Sequence, residues 1–172
     1  MADGDVTPES EITDPEATIL GDRTVSVRRV IAASPSEIFA VLSDASLHPV
    51  IDGSGTVRKA AGRVERLAMG SRFGMRMQYG IPYVIANTVV EFDQDRRIAW
   101  AHFGKHRWRY ELEPLDDVDG APRTRVTETF DWSTAIAPKV IELVGYPRRH
   151  PASMRRTLER LDAFVVNRGS GL

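Results

Sequence analysis

The stretch RTRVTETFDW, residues 123–132, alternates polar and apolar side chains in the pattern of a half-buried β-strand. Its apolar face carries Val126, Phe130 and Trp132, and Glu128 lies among them. A carboxylate on an apolar face is costly unless it is paired, protonated or beside a water-filled pocket. The alternation therefore predicts that Glu128 points into a cavity lined by aromatic side chains.

Strand-like runs broken by turns occupy most of the chain around this segment. One run covers 24–31, and further runs follow at about 56–66, 71–79, 83–92, 96–103, 107–114 and 123–132. Their close spacing favours antiparallel hairpins over crossover units. The sequence thus predicts an antiparallel sheet of seven strands.

Two helical signals flank these runs. Residues 34–37, Ser-Pro-Ser-Glu, combine an N-cap serine, a proline at the first helical position and a glutamate that completes a capping box. Near the other end, one apolar stripe of helical spacing consists of Met154, Leu158, Leu161 and Val165. Gly145, Pro147 and Pro151 predict that the chain breaks or bends between this long helix and a short helical piece at 138–144.

A sheet with one apolar face needs a cover, and the terminal helix is the only predicted element long enough to provide it. The expected fold class is α+β, with the sheet curved around the long C-terminal helix and short helices between strands 1 and 2. Such an arrangement commonly leaves a cavity between sheet and helix. We expect a single domain over 23–168, preceded by a tail over 1–22.

The charge distribution is uneven, although the formal net charge is only -1. Residues 1–22 contain seven acidic side chains and neither Lys nor Arg, which is typical of a flexible acidic tail. The remainder is therefore basic, with several arginines near the C-terminus. We interpret them as a solvated helix face, with an anion-binding surface as the alternative.

Several function classes are excluded or disfavoured by composition. The chain has no cysteine, which excludes disulfides, thiolate nucleophiles and cysteine-based metal sites. The four histidines lack zinc-type spacing, and no Gly-rich phosphate loop or nucleic-acid-binding motif is present. The chain also has no apolar run of 18 residues. We therefore expect no metal, no cofactor, no nucleic-acid partner, no membrane insertion and a cytoplasmic location.

The hairpin between the fourth and fifth of the later runs decides which side chains share a face with Glu128. A three-residue loop, Gly104–His106, would oppose Trp100 to Tyr110 and His102 to Trp108. A two-residue loop would mix aromatic and charged side chains on each face, so burial favours the longer loop.

On this register His102 and Glu128 lie on the concave face, with one strand between them if strands that are neighbours in sequence pair. They are candidate acid/base groups, because a buried carboxyl has a raised pKa and can donate a proton near neutral pH. The alternative is that Glu128 is satisfied inside the core by Arg, Tyr or water, and that His102 is exposed at a strand end.

Candidate ligand-binding residues fall into three sets. The aromatic and thioether side chains expected to line the cavity are Tyr79, Tyr83, Trp100, Trp108, Tyr110, Phe130, Trp132, Met75 and Met77. His48 and Asp52, four residues apart, can pair at the cavity mouth, unless Asp52 instead caps the Gly53–Gly55 turn. Tyr146 precedes the long helix and can gate the cavity.

Residues 34–44, Ser-Pro-Ser-Glu-Ile-Phe-Ala-Val-Leu-Ser-Asp, resemble the start of START-like (SRPBCC) domains. The motif positions are filled by Pro35, Ile38, Phe39, Leu42 and Asp44. The resemblance covers about 23–167 and is greatest to the polyketide cyclase/dehydrase-like group. It implies the helix-grip fold with a deep pocket for hydrophobic ligands. One departure is the segment 48–55, where many relatives place a tryptophan.

Three functions remain open at this stage. The first is a module that binds a small polyketide-, aromatic- or lipid-like molecule in the cavity, as a monomer or homodimer. The second, which the resemblance makes plausible, is a cyclase or dehydratase that uses acid/base groups in the same cavity. The third is a protein-interaction or regulatory module that acts through the basic terminal helix.

Overall fold

One continuous antiparallel sheet organises the chain, which a computed structural model describes over residues 18–62 and 66–169. The elements in chain order are β1 (Thr18–Gly21), β2 (Thr24–Ile31), α1 (Pro35–Leu42), α2 (His48–Ile51), β3 (Val57–Ala61), β4 (Arg72–Tyr79), β5 (Ile81–Asp93), β6 (Arg97–Ala101), β7 (Arg107–Val118), β8 (Ala121–Asp131), α3 (Pro138–Val144) and α4 (Tyr146–Gly169). The fold class and the long terminal helix are those predicted.

The sheet has eight strands in the order β1-β2-β8-β7-β6-β5-β4-β3. The prediction of seven strands misses β1, which lies within the range expected to be a tail. Thr18–Gly21 pairs with the edge of β2, and its Thr and Ile are β-branched side chains that favour strands. The rest of the expected tail, residues 1–17, lies outside the described residues.

The long helix covers one end of the sheet. Its predicted stripe is buried, with exposed fractions of 1% for Met154 and Leu158, 0% for Leu161 and 5% for Val165. It packs on β2 and β8, and Arg29 on β2 donates to Asp162 on α4 at 2.8 Å. We call this face of the sheet the inner face and the opposite one the outer face. No helix in the described ranges is long and apolar enough to cross a membrane.

The prolines do not separate the helices as predicted. Gly145 alone does so, with a positive φ of 78° that ends α3 in the left-handed region. Pro147 and Pro151 both lie inside α4, which starts at Tyr146. Pro147 is the second residue of α4, where the missing N–H would have no intrahelical partner in any case, whereas Pro151 is the sixth residue and removes one intrahelical hydrogen bond.

The first helix begins as predicted. Ser34 is the N-cap, and its backbone N–H donates to Glu37 Oε2 at 2.9 Å while Glu37 N donates to Ser34 Oγ at 3.4 Å. Pro35 occupies the first position, and Ile38 and Leu42 are fully buried below it. This helix fixes the chain direction into α2 and the loop that reaches the site.

The register of the β6–β7 hairpin differs from the prediction. Trp100 opposes Trp108 and Ala101 opposes Arg107, so the loop spans five residues, 102–106. The shift is two positions, which leaves the side chains of β6 and β7 on their predicted faces, whereas His102 falls in the loop. The loop is longer because His102 bonds within it instead of extending the strand, as described below.

Candidate functional site

Glu128 lies at the middle of the inner face. Its strand β8 runs between β2 and β7, and Glu128 opposes Val27 on one side and Tyr110 on the other. The side chain is buried, with 3% of the residue exposed. Tyr110 Oη donates a hydrogen bond to Glu128 Oε1 at 3.0 Å. Strand alternation therefore placed this carboxyl on the apolar face, as the sequence predicts.

The second carboxyl oxygen, Oε2, is buried and has no hydrogen-bond partner among residues 18–62 and 66–169. Burial raises the pKa of Glu128 to about 8; the Tyr110 hydrogen bond opposes the rise and the charge of Asp52 adds to it. Burial also raises the pKa of Tyr110, so Tyr110 keeps its proton. Because Oε1 accepts from Tyr110, the proton of neutral Glu128 resides on Oε2.

Aromatic rings surround this acid on the inner face. Trp100 lies 5.5 Å from Tyr110 between ring centroids, and Trp108 lies 4.9 Å from Phe130. Phe130 in turn stacks on Trp132 at 5.5 Å. These distances are those of favourable aromatic pairs. Part of the predicted lining set thus forms one surface across β6, β7 and the end of β8, which we call the aromatic wall: Trp100, Trp108, Tyr110, Phe130 and Trp132.

His48 is buried and does not pair with Asp52. Its Nε2 lies 2.9 Å from the Leu42 carbonyl, and its ring stacks on Trp100 at 4.8 Å. Burial lowers its pKa, so the ring is neutral near pH 7. His48 therefore closes the aromatic wall from the α2 side, in place of the predicted pairing with Asp52.

Asp52 caps the turn that follows α2, which is the alternative considered for it. Its Oδ1 accepts from Ser54 N at 3.0 Å, and its Oδ2 accepts from Val57 N at 3.0 Å. The turn is held against α4, because Gly53 N donates to Thr157 Oγ1 at 2.9 Å. This attachment brings the carboxylate of Asp52 close enough to raise the pKa of Glu128.

The close approach of this turn requires glycine at position 53. A Cβ there would lie 2.2 Å from the Ser153 carbonyl oxygen and 2.4 Å from Thr157 N, both backbone atoms of α4. Arg156 Nε donates to the Gly53 carbonyl at 2.9 Å, and Arg160 donates to the Asp52 carbonyl. Two arginines of the basic terminal helix, Arg156 and Arg160, therefore form hydrogen bonds within the protein.

His102 is not on the strand face as predicted, but in the β6–β7 loop. Gly104 N donates to His102 Nδ1 at 3.0 Å, which places the His102 proton on Nε2. That Nε2 lies 2.7 Å from His106 Nε2, so His102 donates and His106 accepts. Two predictions are therefore wrong: that His102 opposes Trp108, and that His102 and His106 are not neighbours. Both fail because the bonds to Gly104 and His106 hold His102 in the loop.

A histidine cluster that sequence reasoning did not assemble adjoins the aromatic wall. His150 on α4 lies 4.5 Å from Phe130 and 5.0 Å from Trp108 between ring centroids, and Tyr146 stacks on it at 5.3 Å. The pKa values of His106 and His150 are lowered to about 4, mainly by burial, and for His106 the charges of His102 and His150 contribute to this lowering. The cluster is therefore neutral near pH 7. The only sequence signal for it is the spacing of His102 and His106.

The remaining predicted residues lie along β4 and β5. Met75 is buried and Met77 half-buried, whereas Tyr79 and Tyr83 are 73% and 41% exposed. The tyrosines are exposed because β5 runs seven residues past Thr88, its last partner on β6, so the hairpin overhangs the sheet. Within the described ranges, no group of three or more His, Cys, Asp or Glu side chains has metal-binding geometry.

Comparison with known proteins identifies relatives of the whole domain. A family model described as polyketide cyclase/dehydrase and lipid transport matches residues 22–165. The uncharacterized protein Rv0088 of Mycobacterium tuberculosis H37Rv is 34% identical over 161 residues, which cover 91% of this chain and 70% of the relative. An uncharacterized protein of M. tuberculosis CDC 1551 is 33% identical over the same shares of both chains.

Solved structures share the fold at low identity. A crystal structure of a Rhodobacter sphaeroides protein has a TM-score of 0.66 at 18% identity, over 88% of this chain and 97% of that chain. The solution structure of an AHSA1-like protein from Aeromonas hydrophila has a TM-score of 0.59 at 17% identity, over 85% and 94%. With the family match, these likenesses show that the chain belongs to the polyketide cyclase/dehydrase and lipid transport family, a START-like (SRPBCC) member with the helix-grip fold.

Proposed function

We propose that this protein binds a small hydrophobic molecule on the inner face, and that neutral Glu128 donates a hydrogen bond from Oε2 to an oxygen of that molecule. The observation that carries the proposal is the buried Oε2, which has no partner in the described chain, in the middle of an aromatic wall. An unmade hydrogen bond of this kind costs about 1–3 kcal/mol. A ligand carbonyl or ether oxygen would remove that cost.

The preference for an acceptor oxygen follows from the hydrogen-bond directions. Tyr110 Oη already donates to Oε1, so Oε1 is used as an acceptor. Oε2 bears the proton, so it would donate to the ligand and needs an acceptor there. A cationic amine would instead need ionised Glu128, which burial disfavours.

The apolar part of the ligand would contact the wall beside Glu128. Trp100 and Trp108 are only partly buried, so their rings retain surface that a ligand can cover. The overhanging β4–β5 hairpin presents further apolar surface from Met77 and Tyr83 on the inner face. Burial of apolar surface would contribute roughly 25 cal/mol per Å2.

The test uses 2-acetylnaphthalene, a flat ketone, with intrinsic fluorescence as the readout. All three tryptophans, Trp100, Trp108 and Trp132, belong to the inner face, so a ligand there changes their emission. We expect wild-type affinity to be constant below about pH 8 and to fall above it as Glu128 ionises. Glu128→Gln retains an N–H donor, so it should keep the affinity and lose the pH dependence.

Glu128→Leu should weaken binding by about tenfold, the value of one hydrogen bond to a buried acceptor. Glu113→Gln is the matched control, because its side chain is 63% exposed and pairs with Arg125 on the sheet surface. Equal affinity of the wild type and Glu128→Leu, with no pH dependence in either, would refute a role of Glu128 in binding.

A second function, of cyclase or dehydratase type, is favoured by the same raised pKa. A carboxylic acid that is still protonated near pH 7 is a suitable general acid. Loss of water from a β-hydroxy ketone breaks its Cβ–O and Cα–H bonds and forms a C=C bond. Glu128 would protonate the departing hydroxyl, and the resulting carboxylate would take up the α-proton, which restores the neutral acid. In that case Glu128→Gln abolishes turnover while it preserves affinity; unchanged turnover would remove Glu128 from the chemistry.

A further inference from the structure

A groove of about 430 Å3 lies on the outer face of the sheet, on the side opposite Trp100 and Tyr110. Its lining residues are Arg72, Ala86, Thr88, Val90, Ala101, His102, Phe103, Lys105, Arg107 and Thr134. The volume is within the usual range of small-molecule sites. Of the residues considered for the inner-face site, only His102 borders this groove.

The groove follows from one row of paired residues across four strands. Arg72 on β4 opposes Thr88 on β5, Thr88 opposes Ala101 on β6, and Ala101 opposes Arg107 on β7. Neighbouring strands lie about 4.8 Å apart, so the two arginine Cα atoms are about 14 Å apart. The two side chains between them are small, which leaves a depression with a guanidinium on each side.

The end of the groove is a loop held rigidly in place. Lys105 N donates to the His102 carbonyl at 2.9 Å, and Lys105 itself adopts a left-handed φ of 60°. The β8–α3 connection fixes the same loop, since Thr134 Oγ1 donates to the Lys105 carbonyl at 2.8 Å and Ile136 N to the Gly104 carbonyl at 3.0 Å. A preformed wall lowers the entropy lost on binding.

The same loop presents an apolar surface beside the groove. Phe103 is 82% exposed although it is a large aromatic side chain, and Ala86, Val90 and Ala101 form the apolar part of the floor. Isolated exposed apolar residues need no explanation, but one that borders an apolar floor offers a continuous contact surface.

The charge of the groove is positive and largely uncompensated. Arg107 pairs with Glu91 at 3.0 Å, but Arg72 and Lys105 form no ion pair within the described part of the chain. None of the lining residues is acidic. An anion placed between Arg72 and Lys105 would therefore be attracted from two sides, with Arg107 and the Thr88 hydroxyl nearby.

We propose that this outer groove is a second binding site, distinct from the inner face, for a small amphipathic carboxylate. Its anionic group would lie between Arg72 and Lys105, and its aryl or short alkyl body would lie on Ala86, Val90 and Ala101 against Phe103. The proposal does not depend on the inner-face function, because the two sites lie on opposite faces and share no ligand contact.

The test follows backbone amide shifts by NMR as naphthalene-2-carboxylate is added to the full chain. We expect shifts in 86–90 and 101–107, and an affinity that falls as salt is raised. The double variant Arg72→Gln, Lys105→Gln should weaken binding at least about tenfold. Shifts caused by uncharged 2-acetylnaphthalene, which binds the inner face, should be the same in the double variant as in the wild type.

Arg76→Gln is the matched control, since Arg76 lies on the same strand and the same face as Arg72, about 13 Å further along, and does not line the groove. It should bind as the wild type does. Carboxylate-induced shifts that persist in the Arg72→Gln, Lys105→Gln variant, no shifts at about 1 mM carboxylate, or an equal loss in Arg76→Gln would overturn the proposal. Glu128→Leu separates the two sites, because it should leave the carboxylate affinity unchanged.

Discussion

Two glutamates in one sheet have opposite environments. Glu91, on the outer face, accepts from Arg109 Nε at 2.8 Å, Arg109 Nη2 at 2.7 Å and Arg107 Nη1 at 3.0 Å. The Arg109 hydrogen bonds lower its pKa most, and the charges of both arginines add to that effect. Glu128, on the inner face, has only a neutral tyrosine donor, and burial raises its pKa to about 8.

The difference separates a structural carboxyl from one available to a ligand. The carboxylate of Glu91 is already paired with three arginines, and its side chain is 17% exposed. Glu128 has an uncommitted oxygen and faces aromatic rings. A group that is costly to bury and left without a partner is a candidate for function, because folding alone gives no reason for it.

The largest effect should come from Glu128→Gln, which removes the ionisable group but keeps the acceptor for Tyr110. The native state holds the proton up to about pH 8, whereas the unfolded chain releases it near pH 4.3. Between these values the wild type loses stability as the pH rises, by up to about 1.4 kcal/mol for each pH unit.

The glutamine variant should lack this slope, so it should unfold at higher denaturant concentration than the wild type at pH 8 and at a similar one near pH 4.5. Urea unfolding at several pH values measures both. Glu111→Gln serves as the control, since Glu111 is exposed on the outer face of β7. Parallel pH profiles of the wild type and Glu128→Gln would contradict a raised pKa.

A smaller effect of the opposite sign is expected for Glu91→Gln. Loss of the charge weakens three charge-assisted hydrogen bonds. Because Glu91 is partly exposed, the free energy of unfolding should fall by only about 1–2 kcal/mol. The pKa of Glu91 is lower in the folded than in the unfolded state. The stability that ionised Glu91 contributes is therefore present above its unfolded-state pKa, and it is lost as the pH falls below that pKa. Unfolding at pH 7 should show destabilisation, and stabilisation would remove the contrast with Glu128.

Tyr110→Phe should sharpen the contrast. The variant deletes the one hydrogen bond that lowers the pKa of Glu128, so that pKa should rise above about 8. The lost hydrogen bond should cost about 1 kcal/mol at pH 7. Thermal unfolding and a carboxyl titration test the two parts separately; a lower pKa in the variant would show that Tyr110 does not donate to Glu128.

The smallest effect is expected for Asp52→Asn. Removal of the Asp52 charge should lower the pKa of Glu128 only slightly, because this charge is a minor cause beside burial. Asparagine keeps an oxygen for capping the 52–55 turn, so stability should change little. A fall of the Glu128 pKa to about 4.3, the value of a solvated glutamate, would mean that repulsion from Asp52, and not burial, holds the proton on Glu128.

Local patterns predicted much of this arrangement. The orientation of Glu128, the apolar stripe of α4 and the capping box at Ser34 follow from periods and spacings within one element, which neighbouring elements did not alter. The aromatic wall also follows, since a two-position error in the β6–β7 register preserves the faces.

Features that depend on contacts between different elements were not predicted from the sequence. Strict alternation would place Glu91 on the inner face with Val89, but a bulge between them turns Glu91 to the outer face, where the arginines are. The loop position of His102 depends on bonds to Gly104 and His106. The outer groove depends on the pairing of four strands, which no single segment encodes.

The central claim is that Glu128 is a neutral acid near pH 7 while Glu91 is ionised. The most direct measurement is a titration of the side-chain carboxyl 13C shifts of both residues by NMR, assigned with Glu128→Gln and Glu91→Gln. The account predicts a midpoint near 8 for Glu128 and one below the usual glutamate value for Glu91. A Glu128 midpoint at or below about 4.3, the value of a solvated glutamate, would contradict it.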